Sequence, residues 1–248
     1  MSRRQLIQLV VLGILLSTTG IAIALWINWF PTQASSQAKQ IDTLFDVLLI
    51  ASVPIFVLVE MVVLYSVWKF RMKPGEELKD GPPIHGNTRL EVVWTTIPTI
   101  LLVGLCSYAY VVLRDIERKP AGHEMVVNVT GQQFAWSFEY PGENGGKSFK
   151  SDQLYLPEGQ SVKFKVRSVD VIHDFWVPQF RLKIDAVPGI TTSYRLKPSR
   201  TGHYTVVCAE LCGLGHSTMR QSAHVLPKQQ FDAWVTKHQS AAPTPSPS

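Results

Sequence analysis

Three long apolar stretches occupy the first half of the chain, at residues 6–27, 44–67 and 92–112. Each reaches the roughly 20 residues that a helix needs to cross the apolar core of a bilayer. Basic side chains precede the first stretch and fill the loop between the second and the third. Because short loops rich in Lys and Arg stay on the cytoplasmic side, the pattern predicts three membrane helices that deliver everything after Arg114 to the outer face.

The first apolar stretch has two interpretations. An Arg-Arg pair near the N-terminus resembles the basic start of a secretory signal, and small residues around Ala34 could form a cleavage site. The apolar run is longer than the roughly 7 to 15 residues of a signal core, which favours a retained anchor. We therefore expect residues 1–34 to be a signal or an extra anchor, and residues 35–120 to be a two-helix transmembrane hairpin.

From residue 124 onward, apolar and polar residues alternate with a period of two, as in strands that bury one face. Turns that contain Pro or Gly separate the runs, and a short helix that buries Phe231 and Trp234 is expected near the end. Regular short strands of this kind predict an antiparallel sandwich or barrel over residues 121–238. Residues 239–248 combine proline with small residues, which predicts a disordered tail.

The chain has a formal net charge of +5, which raises the question of nucleic acid binding. The basic residues after Arg114 are spread along the strand-like segments with acids among them and are not clustered. A nucleic-acid-binding surface needs a basic patch or stripe. We therefore interpret these residues as a solvated surface and expect no nucleic acid partner.

One loop between two predicted strands combines Cys208, Cys212, His216 and Met219. Thiolate and thioether are soft ligands that select copper over hard cations, and imidazole completes sites that cycle between copper oxidation states. His173 lies upstream, where the end of a neighbouring strand could bring it beside the loop. These five side chains predict a copper site.

The two cysteines are also compatible with other kinds of site. A cysteine pair outside the cytoplasm is by default a disulfide, and the spacer between Cys208 and Cys212 permits one. A disulfide has no need of two histidines and a methionine, and zinc sites do not recruit methionine. A mononuclear blue-copper site uses a single cysteine. The second cysteine therefore favours two copper ions bridged by two thiolates, with one imidazole for each ion.

This set of residues resembles subunit II of the haem-copper cytochrome c oxidases, and the resemblance extends over residues 43–234. It implies a membrane α-helical anchor followed by an all-β cupredoxin-like domain, a Greek-key sandwich or barrel, which carries a binuclear copper A centre. The implied ligands are the bridging thiolates of Cys208 and Cys212, the side chains of His173, His216 and Met219, and the backbone carbonyl of Glu210.

The resemblance also implies roles for acidic side chains. The Glu210 carboxylate would face a Mg²⁺ ion shared with subunit I, although a solvated loop acid is the alternative. Glu91 would mark the cytoplasmic mouth of a proton pathway into subunit I, and the alternative is an interfacial charge beside the anchoring Trp94. Glu60 lies well inside the second apolar stretch, where acids usually face a protein partner or a water path, and we expect it to face subunit I.

The implied function is that of an electron-transfer subunit in an aa3-like oxidase of a bacterial plasma membrane, with the copper domain on the outer, periplasmic face. It would accept electrons from cytochrome c and pass them to haem in subunit I, where oxygen is reduced to water with proton translocation. The expected partners are subunit I, subunit III, cytochrome c and membrane lipid. The alternatives are a membrane-tethered copper chaperone, which also uses Cys-x3-Cys and a distant histidine, and a quinol-oxidase relative without copper.

The chain departs from the family pattern in its aromatic segment. Phe134 occupies the position of the tryptophan that usually receives electrons from cytochrome c, while Trp136 on the same predicted strand face is expected in the core. Cationic cytochromes are steered by acidic patches, whereas basic side chains outnumber acidic ones after Arg114. The residue that takes up the electron and the identity of the donor therefore stay open.

Overall fold

The structure is a computed structural model that describes residues 2–72, 74–75, 83–142 and 146–241. The chain divides into two compact units. The helical unit contains Thr43–Val112 and the chain up to Asn28, and the β unit contains Trp29–Asp42 and the chain from Leu113 onward. This division differs from the predicted boundaries because Trp29–Asp42, between the first two helices in sequence, folds with the β unit.

Three helices have the length and the apolar composition needed to cross a membrane: α1 (Arg3–Trp26), α2 (Ala38–Phe70) and α3 (Thr88–Ile116). Most of their large apolar side chains are exposed, as expected for surfaces that face lipid or other membrane helices. A capping box at Ser2 and Gln5 satisfies two backbone N–H groups at the start of α1.

Helices α1 and α2 pack closely at a glycine of α1. A Cβ atom placed on Gly20 would lie 2.8 Å from Cγ1 of Val53, closer than real Cβ contacts allow. Small residues let helix backbones approach each other in membranes, where packing and not water exclusion drives helix association. Gly20 therefore permits the contact between α1 and α2.

The β unit is a sandwich of two five-stranded sheets, in which the strand orders are β3-β2-β1-β5-β8 and β4-β10-β9-β6-β7. The strands are β1 (Met125–Gln132), β2 (Ala135–Tyr140), β3 (Phe149–Ser151), β4 (Leu154–Pro157), β5 (Val162–Ser168), β6 (His173–Val177), β7 (Leu182–Ala186), β8 (Thr192–Leu196), β9 (Gly202–Cys208) and β10 (Arg220–Leu226). The predicted sandwich class is confirmed.

Two of the strand pairings correct the antiparallel prediction. Strands β1 and β5 are parallel, and so are β4 and β10, while the other pairings are antiparallel. The chain visits the second sheet at β4 before it returns to the first as β5, so β5 reaches β1 in the same direction. Side chains alternate with the same period in both kinds of pairing, and the sequence pattern therefore could not distinguish them.

Aromatic rings fill the space between the two sheets. Phe175 of the second sheet lies 6.2 Å from Phe138 and 5.6 Å from Phe164, both of the first sheet, measured between ring centroids. Trp136 is also buried, as predicted, with 2% of its surface exposed. Burial of such side chains is the main favourable term in folding, worth about 1.5–3 kcal/mol for each large apolar side chain. The core therefore lies directly beneath β9 and β10, the strands joined by the loop that contains Cys212, His216 and Met219.

Helix α4 (Lys228–Ala241) packs against β4, the edge strand of the second sheet. Phe231 is buried, and Trp234 stacks on Tyr155 of β4 at 4.3 Å between ring centroids. The helix continues to Ala241, so residues 239–241 of the predicted disordered tail are helical. Residues 242–248 of that tail lie outside the described residues.

The segment Trp29–Asp42 runs along the β unit as a strap. The Ala34 N–H donates to Gln179 O at 2.9 Å, and Ala34 O accepts from the Ser199 N–H at 2.9 Å. Ala34 is fully buried. The site at which the sequence suggested cleavage is therefore part of the packed interior of the β unit.

Candidate metal centre

A loop at one end of the second sheet connects β9 to β10 and contains a short 3-10 helix, His216–Thr218. Cys208 is the last residue of β9, and its N–H donates to Met219 O at 3.1 Å, which closes the base of the loop. Strand β6 begins at His173 and pairs with β9 so that Phe175 lies opposite Cys208. This register brings His173 to the loop.

The two loop cysteines are free thiols. The Sγ atoms of Cys208 and Cys212 lie 3.9 Å apart, and each residue has 3% of its surface exposed. A disulfide requires a sulfur–sulfur distance of about 2.05 Å. The two sulfur atoms therefore face each other across a gap in a buried site, without a bond between them.

Each sulfur has one imidazole beside it. Cys208 Sγ lies 3.8 Å from His173 Nδ1, and Cys212 Sγ lies 3.7 Å from His216 Nδ1. Metal–sulfur bonds of about 2.3 Å and metal–nitrogen bonds of about 2.0 Å allow an ion to bind both atoms of such a pair in a bent arrangement. The ligand atoms of His173, Cys208 and Cys212 also lie within 4.8 Å of one another. The donor set therefore fits a metal centre.

Two weaker donors complete the surroundings of the sulfurs. Met219 is fully buried, and its Sδ atom lies 3.8 Å from Cys212 Sγ. The backbone carbonyl oxygen of Glu210 lies 3.3 Å from Cys208 Sγ, while Glu210 as a residue is exposed. All six groups that the resemblance implied as ligands are thus brought together by the fold.

Burial, together with the neighbouring Cys208, raises the pKa of Cys212 to about 11. Without a metal, the Cys212 thiol therefore keeps its proton at neutral pH. Because thiolates and not thiols bind metals, metal binding at this loop releases protons.

Asp170 holds the His173 ring in place. Its Oδ1 atom lies 2.9 Å from His173 Nε2. Burial alone raises the pKa of Asp170, but hydrogen bonds from the Gln133 N–H, from His173 and from the Val171 N–H outweigh it and hold that pKa well below its usual range. The ionised carboxylate accepts the Nε2 proton, which leaves the lone pair of Nδ1 directed at Cys208. Asp170 was not predicted from the sequence, although its position three residues before a candidate ligand was a usable signal.

Gln133 and Trp136 also support the site and were not assigned to it from the sequence. The Gln133 side-chain amide donates to the Cys212 carbonyl oxygen. The Trp136 ring lies edge-on to His173, with 5.9 Å between ring centroids. Gly131 leaves room for both rings, because a Cβ there would lie 3.0 Å from Trp136 and 3.1 Å from His173. Nothing in the local sequence pattern connects these positions to the loop.

Phe134 lies over the metal-binding loop and remains 39% exposed. A Cβ atom on Gly215 would come within 2.5 Å of the Phe134 ring, so this glycine permits the contact. Strand β2 begins only at Ala135. The prediction that Phe134 belongs to the strand is therefore wrong, because the residue lies in the two-residue turn that joins β1 to β2.

Two acidic residues of interest belong to the helical unit. Glu91 is exposed in the first turn of α3, where its Oε1 accepts from the Asn87 N–H at 3.2 Å. A carboxylate in the first turn is also favoured by the helix dipole, so Glu91 has a structural role at this helix end. Glu60 is exposed within α2. Cys106, in α3, is exposed as well.

Fold and site together define a class: a membrane-anchored protein with a cupredoxin-like sandwich, in which two thiols, two imidazoles and a thioether converge on one loop. Residues 143–225 match the family described as cytochrome c oxidase subunit II, periplasmic domain. Residues 22–112 match the transmembrane domain of the same subunit.

Individual relatives agree with the family match. Cytochrome c oxidase subunit 2 of Thermostichus vulcanus is 32% identical over 92% of this chain and 86% of its own length. The same subunit of a Synechocystis strain is 31% identical over 95% of this chain and 84% of its own length. A solved periplasmic domain of subunit II from Bradyrhizobium japonicum is 28% identical, with a TM-score of 0.45, and the match covers 50% of this chain and 98% of that domain.

The chain belongs to the cytochrome c oxidase subunit II family. The resemblance inferred from the sequence is confirmed, and with it the membrane anchor, the cupredoxin-like fold and the place of the chain as a component of an oxidoreductase complex. The family and the His/Cys group together indicate a copper-binding protein. They do not favour the chaperone alternative.

Proposed function

We propose that this chain accepts electrons one at a time from a cytochrome c at a binuclear copper A centre and passes them to haem in subunit I. Oxygen is reduced to water there, coupled to proton translocation. The observation that carries the proposal is the pair of free, buried sulfurs 3.9 Å apart, each with its own imidazole nitrogen. A single-copper site would use only one of the two sulfurs.

In this proposal the thiolates of Cys208 and Cys212 would hold both ions, and the imidazoles of His173 and His216 would each hold one. Met219 and the carbonyl of Glu210 would be the weak ligands. Bound copper would supply one-electron redox chemistry, because the ions cycle between two oxidation states.

The rest of the chain keeps the ligands in one arrangement in both states. His173 is buried and fixed by Asp170, Met219 is buried in the core, and the base of the loop is closed by backbone hydrogen bonds. Ligands that do not move on electron uptake keep the reorganisation small, which favours rapid transfer.

The surface around the loop is suited to a protein donor. Phe134, Leu211 and Leu214 are exposed, the last completely. Exposed apolar groups next to a redox site mark a docking surface. Because basic side chains outnumber acidic ones after Arg114, we expect apolar contact to contribute more than electrostatic steering when the cytochrome docks.

The remaining expectations complete the proposal. The copper domain lies on the outer, periplasmic face of a bacterial plasma membrane, and subunits I and III with lipid surround the helices. The exposed Glu210 carboxylate faces a Mg²⁺ ion shared with subunit I. Glu91 lies at the mouth of a proton pathway in addition to its contact with Asn87.

Copper counting and paramagnetic resonance on the full chain, purified in detergent and loaded with copper, test this function. We expect two coppers per chain and a mixed-valence signal in which one electron is shared equally by both ions. A Cys212→Ser variant should lose that signal. One copper or none, with Cys208 and Cys212 recovered as a disulfide, would contradict the proposal and return the chaperone alternative to consideration.

A further inference from the structure

A second pair of imidazoles lies on the outer face of the second sheet. His203 of β9 and His224 of β10 are directly opposite each other in the antiparallel register, and their Nδ1 atoms are 2.6 Å apart. Both neighbours of His224 in β10, Ala223 and Val225, are buried. Because side chains alternate between the two faces of a strand, the two rings point away from the core and toward solvent.

The protonation of the pair follows from a third residue. His224 Nε2 lies 2.9 Å from the amide oxygen Oε1 of Gln153. An amide oxygen only accepts hydrogen bonds, so Nε2 carries the proton and the Nδ1 atom of His224 has a free lone pair. That lone pair faces His203 Nδ1, which donates the hydrogen that the two rings share.

A stacking contact on the face of the His224 ring also keeps the ring in this orientation. Tyr155 stacks on it with 4.6 Å between ring centroids and 16° between the planes. The stacked Tyr155 ring fixes the plane of the imidazole, so its Nδ1 atom stays directed at His203.

We propose that His203 and His224 bind a divalent transition-metal ion such as Zn²⁺ through their Nδ1 atoms, with water completing its coordination. Imidazole suits Zn²⁺, Cu²⁺ and Ni²⁺ and is a poor ligand for the hard cations. Metal–nitrogen bonds of about 2.0 Å at the tetrahedral angle place two ligating nitrogens about 3.3 Å apart. His203 is exposed, so its ring can move out from the present 2.6 Å by the roughly 0.7 Å that the ion needs when it replaces the shared proton.

The contact with Gln153 is the kind that metal-binding histidines make. Such a histidine usually donates its other ring N–H to an oxygen, which fixes both the tautomer and the ring. His224 meets this requirement before any metal binds, because Nε2 is already bound to Gln153 and Nδ1 is already aimed at the site.

This site is separate from the sulfur-containing loop and has a different donor set. His203 precedes Cys208 along the extended strand by about 17 Å, and no sulfur takes part. An ion bound by His203 and His224 would cross-link β9 and β10, the two strands that the metal-binding loop connects. We therefore expect it to raise the thermal stability of the β unit without changing the copper centre.

Zinc binding to the full chain in detergent, loaded beforehand with copper, tests the proposal. Equilibrium dialysis should find one zinc per chain in the wild type, with the copper content unchanged, and a higher unfolding temperature in zinc. His203→Asn and His224→Asn should each abolish both effects. Gln153→Ala should weaken zinc binding by about tenfold or more, because it removes the group that orients His224.

His238→Asn is the matched control. His238 lies 4.6 Å from Trp234 between ring centroids, and Trp234 in turn stacks on Tyr155. Because His238 is not part of the pair, zinc binding should persist in this variant. An unchanged copper spectrum shows that each variant is folded. Zinc retained equally by His203→Asn and His224→Asn, zinc bound only with loss of copper, or no zinc bound by the wild type would each overturn the proposal.

Discussion

The Oδ1 atom of Asp170 lies 2.9 Å from Nε2 of His173, and it fixes which nitrogen of this buried imidazole faces Cys208. The carboxylate also accepts from the Gln133 N–H at 2.7 Å and from the Val171 N–H at 2.7 Å. Asp170 thus links the loop before β2, the start of β6 and the metal-binding loop through one ligand.

Asp170→Asn should weaken copper binding while the fold is retained. The amide keeps an acceptor oxygen but loses the charge that stabilises the His173 N–H, and changes to the partner of a metal ligand lower metal affinity by about 10- to 100-fold. Competition with a copper chelator measures the effect. Asp152→Asn, at an exposed position, is the control, and an equal loss in both variants would show that Asp170 has no special role.

Met219→Leu should leave the protein folded and change the reduction potential of the copper centre. The two side chains have similar volumes, so the free energy of unfolding should fall by less than about 1.5 kcal/mol. Loss of the thioether removes a donor to the oxidised metal, so the potential should rise. A redox titration followed by absorbance measures the shift. Met125→Leu, at another buried methionine, should give the wild-type potential.

Phe134→Ala should slow electron uptake from cytochrome c without loss of copper. The ring is the exposed aromatic group over the loop, and truncation of an aromatic group at the centre of an interface costs about 1–2 kcal/mol, or roughly tenfold in the rate of productive association. Stopped-flow reduction of the assembled oxidase measures the rate. Phe134→Tyr should behave like the wild type, and a normal rate in the alanine variant would place the docking site elsewhere.

Arg181→Ala should release the strap from the β unit. The Arg181 guanidinium binds both oxygens of Asp42, with distances of 2.7 and 2.8 Å, and the arginine side chain is only 5% exposed. Removal of one partner of a buried ion pair costs about 3 kcal/mol, which denaturant unfolding in detergent can measure. Arg118→Ala breaks an exposed pair with Asp115 and should cost less than about 1 kcal/mol. Similar losses in the two variants would contradict the assignment.

Glu60→Leu should reduce assembly with subunit I. An acid inside a membrane helix is costly unless it meets a protein partner or water, and Glu60 is exposed within α2. Co-purification of the two subunits and oxygen turnover measure the effect, and Glu60→Gln should retain most of both because it can still accept hydrogen bonds. Unchanged assembly and turnover in Glu60→Leu would refute this role.

The apolar runs and the period-two alternation determined the class of the fold. A stretch of about 20 apolar residues has few alternatives to a membrane helix, and alternation implies a sheet with one buried face. The copper chemistry also followed from the sequence, because four of the five side-chain ligands lie in one short loop and their types exclude most other metals. The burial of Trp136 followed from its place in the alternation.

Only the tertiary structure decided what depends on contacts between residues distant in sequence. The parallel pairing of β1 with β5 leaves the alternation unchanged, and the contacts of Asp170 with Gln133, of Asp42 with Arg181 and of His203 with His224 join separate segments. Side-chain periodicity describes which face a residue occupies, but the fold alone determines which residue lies opposite. The contacts that support the metal-binding loop, and the pairing of His203 with His224, are therefore determined only by the assembled sheets.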